Sequence, residues 1–160
     1  MNKSGNMNPS TLLLIHQLVN HLISNKDSNS GSIKANLERI GNELGIRIMM
    51  KVSDKHSSKV TRDTSKILML FATEFWEFVF GKPAVDIRLS ENNSISFKDH
   101  DFELISRING ENTNEAEIYI EYIRCLIISM FEGSLAFLNL KTNVIIQKHD
   151  EFTLVEIKSF

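Results

Sequence analysis

The segment Asp63 to Phe80, DTSKILMLFATEFWEFVF, constrains this chain more than any other. It reads as one helix advancing about 100° per residue. On that wheel Ile67, Phe78, Phe71, Phe75, Leu68, Val79, Ala72, Trp76, Met69 and Phe80 follow one another along a single arc. Thr64 and Ser65 interrupt it in the first turn. Asp63, Lys66, Thr73, Glu74 and Glu77 fill the remaining sector, with Leu70 the one apolar residue among them. A surface helix of a monomer needs an apolar stripe of roughly 100° or somewhat more. This arc takes well over half the circumference. Such a helix calls for cover on two sides, from its own domain and from something else. None of its residues suggests catalysis, so the first inference concerns partners.

The rest of the composition does not supply a different explanation. A chain of 160 residues, 42% hydrophobic and 24% charged, fits one ordinary globular domain with a real core. Net charge is −2, so no basic field points to nucleic acid. The lone Cys125 excludes an internal disulfide and fits a reducing compartment. No apolar run has the length of a membrane span, and the first residues lack the pattern of a secretory or myristoylation signal. Membrane association is therefore expected only through a protein partner or a weak surface.

Along the chain, residues 1–9 read as a polar, disordered tail and residues 10–160 as one domain. Ser10 or Asn8 caps a first helix with Ile15, Leu18, Val19 and Leu22 at i, i+3, i+4, i+7 spacing. Asn25 to Gly31 is a loop. A second helix from Ser32 to about Ser53 carries Leu37, Ile40, Leu44 and Ile48 as its stripe. Gly41 and Gly45 lie one turn apart on one face of it. Each glycine costs about 1 kcal/mol against alanine in a helix interior, so the pair signals close backbone approach of another element. The Asp63–Phe80 helix stops at Gly81 and Pro83. Val85–Leu89, Ser94–Phe97 and Phe102–Ile108 read as short strands. A long apolar helix follows, from Asn114 or Glu115 to Asn139. Asn143–Lys148 and Phe152–Lys158 close the chain as a hairpin turning at His149-Asp150-Glu151. The class is α+β, a small antiparallel sheet with helices packed on it.

The search for chemistry gives little. His16 and His21 are five apart and point to different helix faces, and no third ligand completes a metal site around His100 or His149. His100 and His149 read as solvated turn residues. Cys125 lies among Ile123, Leu126 and Ile127, where a thiol has a raised pKa and is inert. No phosphate loop, dinucleotide fingerprint or nucleophile elbow occurs. Glu74 and Glu77 form a solvated helix face. Phe75, Trp76 and Phe78 at helical spacing read as core or interface rather than a ligand box. The chain is not expected to be an enzyme or to hold a cofactor or metal.

Four stretches in collinear order then resemble a known family. They are Leu37-Glu38 with Ile40-Gly41, Leu44-Gly45 and Ile48-Met49, and then Lys66-Ile67-Leu68, Phe71, Phe75-Trp76 and Val79-Phe80 before Gly81-Lys82. Asp99, Phe102 and Leu104-Ile105 follow, and then Ser129-Met130-Phe131-Glu132-Gly133-Ser134-Leu135. Together they are similar to the small α/β subunits of TRAPP, the transport protein particle, from about Ile33 to the C-terminus. Phe75-Trp76 before Val79-Phe80, and Asp99 with Phe102 and Leu104-Ile105, are most similar to the subunit-6 branch, which pairs with the palmitoylated subunit. The subunit-5 branch is an open alternative. Ser129 stands where the family usually has glycine, and Glu132 where it often has a basic residue. Thr61 falls near the place of the palmitoylated cysteine and cannot form the thioester.

The resemblance implies four main helices on one side of a small twisted antiparallel sheet. It implies a non-catalytic subunit of a vesicle tether in ER-to-Golgi transport. The assembled complex promotes nucleotide exchange on a Rab GTPase. Expected partners are sister TRAPP small subunits, the palmitoylated one first, with a possible homodimer in isolation. The Rab GTPase is reached indirectly, and the location is cytoplasmic and peripheral at the cis-Golgi. Ile15, Leu18, Val19, Leu22, Leu37, Gly41, Leu44, Gly45 and Ile48 are the expected interface. Phe71, Phe75, Trp76, Phe78, Val79 and Gly133 are the expected core or second contact. The alternative is a lipid- or small-molecule-binding module of related fold, with the Trp76 helix lining an acyl pocket. An enzyme working through His149-Asp150-Glu151 is the remotest reading.

Overall fold

The computed structural model describes residues 9–24, 29–55, 63–100 and 114–160. Helix α1 spans Pro9–Ser24 and α2 spans Ser30–Lys55. Helix α3 (Thr64–Leu70) passes into a π-helical turn (Phe71–Phe75) and then α4 (Trp76–Phe80), without a break between them. Strands β1 (Val85–Ser90) and β2 (Ser94–Asp99) follow. Helix α5 is Asn114–Phe137, and β3 (Thr142–Lys148) and β4 (Thr153–Ser159) end the chain. The expected strand at Phe102–Ile108 lies outside the described residues. Among the described residues, with the α3–α4 rod counted once, four helices accompany a four-stranded antiparallel sheet of order β1-β2-β4-β3.

Local chemistry sets the element ends. Asn29 accepts from the Ser32 N–H at 2.8 Å through its side chain, so α2 starts earlier than its apolar stripe suggests. The Asp63 carboxylate accepts from the Ser65 and Lys66 N–H groups and caps α3. Gly81 takes φ 73°, and its N–H closes α4 onto the Glu77 carbonyl at 2.8 Å. Within the sheet, Ile95, Phe97 and Asp99 of β2 alternate with half-buried residues, as do Thr153, Val155 and Ile157 of β4. The pairs Ile95↔Ile157 and Val144↔Ile157 carry one apolar row across three strands. That face meets the helices, and the opposite face carries Lys98, Glu156 and Lys158.

The rod around Phe71–Phe75 departs from the single-pitch wheel. The Trp76 N–H reaches the Phe71 carbonyl five residues back, which is the π-helical bond. The extra residue in that turn rotates everything after it by about one helical step, near 100°. Before the turn the buried face is Ile67, Leu68, Leu70, Phe71 and Ala72. After it the face is Phe75, Trp76, Val79 and Phe80. Leu70, expected in the polar sector, is therefore buried at 8% exposure, while Phe78, expected in the core or a second contact, is 43% exposed. The very broad apolar arc is two narrower faces laid over each other. Only Met69 and Phe78 remain as large exposed apolar side chains on the rod.

The two faces converge on one aromatic cluster. Phe71 and Phe75 stack at 4.6 Å between ring centroids, and Phe131 of α5 meets Phe71 edge-on at 5.3 Å. Trp76 lies 4.7 Å from Phe97 of β2, again edge-on, and 4.2 Å from Phe80. Every one of these rings is buried. Each contributes roughly 1.5–3 kcal/mol through burial, with about 0.5–1.5 kcal/mol more for a well-placed aromatic pair.

Helices α2 and α5 pack backbone to backbone. A Cβ at Gly41 would stand 2.6 Å from the Leu126 carbonyl oxygen and 2.8 Å from Ser129 Cβ. One at Gly45 would overlap the Met130 carbonyl, and one at Gly133 would stand 2.5 Å from the Asn42 carbonyl. The glycine pair does mark a close approach, and the approaching element is α5 of the same chain. Gly45→Ala should destabilise the fold by about 3 kcal/mol, because backbone cannot yield as a side chain does. Gly31→Ala, in the open first turn of α2, should be neutral or stabilising by up to about 1 kcal/mol. Urea unfolding of the two variants checks the contrast.

Candidate functional site

Among the described residues the titratable side chains are spread over separate contacts. His16 Nδ1 lies 2.7 Å from the Tyr119 hydroxyl, which ties α1 to α5. His149 stacks on Phe152 at 4.6 Å, and His100 lies near the same ring with its Nδ1 3.2 Å from the Glu151 carbonyl. Lys98 Nζ sits 4.6 Å over that ring as a cation–π contact. Cys125 is half-buried on α5, and burial first, then the Glu38 charge, raises its thiol pKa. A thiol so placed holds its proton at neutral pH. Among the described residues no group of three or more His, Cys, Asp or Glu is placed to hold a metal ion.

The one deeply buried charge among the described residues has a structural task. Asp99, at the end of β2, accepts from Trp76 Nε1 at 3.3 Å and pairs with Lys82 Nζ at 2.5 Å. The contact joins the last turn of the rod, the chain just beyond it and the sheet. No local pattern in the residues signals the pairing with Lys82, because the two are joined only through the fold. Removing one partner takes a short ion pair from a site closed to water. Asp99→Asn should therefore cost about 3 kcal/mol or more. Pairing it with Lys82→Met should recover much of that loss, as read from chemical unfolding of the single and double variants.

The expected interface residues divide. Ile15, Val19, Leu37, Gly41 and Gly45 are buried inside this chain, chiefly against α5 and the core. Leu18, Leu22, Leu44 and Ile48 are half-buried at the margin of the core. Local periodicity marks a buried stripe but not the chain that buries it. Phe71, Phe75, Trp76 and Val79 are core, and Gly133 packs on Asn42. The uncovered apolar side chains are others. Leu13 and Leu14 on α1 are 57% and 65% exposed, and Met50 on α2 is 47% exposed, with Ile23 and Ile46 beside them in sequence. Sequence reasoning missed these. Their signal was apolar residues left over once a stripe had been assigned, in LLLI on α1 and in IRIMM on α2.

Glu132 of α5 is a half-buried carboxylate. Burial raises its pKa, the Val144 N–H pulls it back, and the Glu38 charge raises it again. A carboxyl held above its unfolded pKa carries a penalty when ionised, present above the folded pKa and absent below the unfolded one. Glu132→Gln should thus raise the melting temperature at pH 7, and the gain should vanish as pH falls through the carboxylate range. Thermal melts at pH 7 and pH 4 check the sign.

What the described residues make is an α+β packing module with apolar helix faces to cover. The family model of the transport protein particle (TRAPP) component matches residues 11–158. The chain belongs to the TRAPP family, whose members are subunits of a trafficking complex. The fold is similar to the crystal structure of a trafficking protein particle complex subunit 3 from Naegleria fowleri, solved covalently bound to palmitic acid. The TM-score is 0.69 at 16% identity, covering 94% of this chain and 95% of that one. That likeness carries the fold. No curated protein matches significantly.

Proposed function

We propose that the chain is a non-catalytic small subunit of a TRAPP-type vesicle tether, of the subunit-6 branch, with the palmitoylated subunit as its first partner. In this reading it acts in ER-to-Golgi transport, peripherally at the cis-Golgi, and supports Rab nucleotide exchange through the assembled complex. The observation that carries it is the set of apolar side chains left outside a full core on α1 and α2: Leu13, Leu14, Ile46 and Met50. Covering a handful of such side chains against a sister subunit supports a stable heterodimer once association costs are subtracted.

The lipid-binding reading keeps one support, the palmitic acid named for the Naegleria subunit. Thr61, near the place of the acylated cysteine, lies outside the described residues. The rings of Phe71, Phe75, Trp76, Phe97 and Phe131 fill the space between rod, α5 and sheet with one another, which favours the scaffold. Co-expression tests the proposal. The chain alone should self-associate in light scattering and become monodisperse with its sister subunit. Leu14→Asp with Met50→Asp should weaken pairing roughly tenfold or more while the circular dichroism is unchanged. A monodisperse monomer that ignores every sister subunit would contradict it. A co-purifying lipid in native mass spectrometry would favour the second reading.

A further inference from the structure

We draw no further inference here: the strongest candidate, the outer edge of β1, where Val85 and Leu89 are exposed on either side of the bulge at Asp86, carries none because nothing in the structure shows what covers it.

Discussion

The rest of the structure depends on the contact of α2 with α5 at backbone distance. Three glycines permit it, and the approach at Gly41 and Gly45 leaves no room for a methyl group. Because α2 sits so low on α5, Leu37 and Met49 reach the core, and Phe131 on the far side of α5 is free to meet Phe71, Phe75 and Trp76. Ser129 fits opposite Gly41 for the same reason. A larger residue at either glycine would lift α2, open the groove between the helices and expose the aromatic cluster together.

A second constraint aims the rod. The π-helical turn at Phe71–Phe75 gives its first half one buried face and its second half another, turned by about one residue step. Phe71 can then meet Phe131 of α5 while Trp76 meets Phe97 of β2 edge-on. Thr73 bonds back to the Met69 carbonyl at 2.8 Å, so that carbonyl is satisfied through the turn. Asp99 holds the result in place by taking the indole N–H and the Lys82 ammonium at one site. The charge serves the fold, and among the described residues no group of three or more His, Cys, Asp or Glu is placed to hold a metal ion.

Much of this was legible in the residues, and what was not has a physical reason. Caps, turn formers and period-two alternation located the helices and the closing hairpin, because those signals act within a few residues. Gly41 and Gly45 announced a close neighbour, but a helix face records only that something is near. Whether α5 or another chain fills it is decided by tertiary geometry. Leu70 is buried although the wheel sets it among polar residues, because a wheel drawn at one pitch cannot contain a π-helical turn. Asp99 was visible as part of a family stretch, yet its partner Lys82 meets it only when the sheet folds against the end of the rod. The exposed Leu13, Leu14 and Met50 were read past, since periodicity rewards the residues that fit a stripe and discards those that do not.

The central claim is that a sister TRAPP subunit covers the apolar faces of α1 and α2. Hydroxyl-radical footprinting of the chain alone and in the co-purified complex tests it at the side chains themselves. The account predicts that Leu13, Leu14 and Met50 lose most of their labelling on pairing, while Phe160, exposed beyond β4, keeps its own. Unchanged labelling of those three residues in a confirmed complex would contradict it.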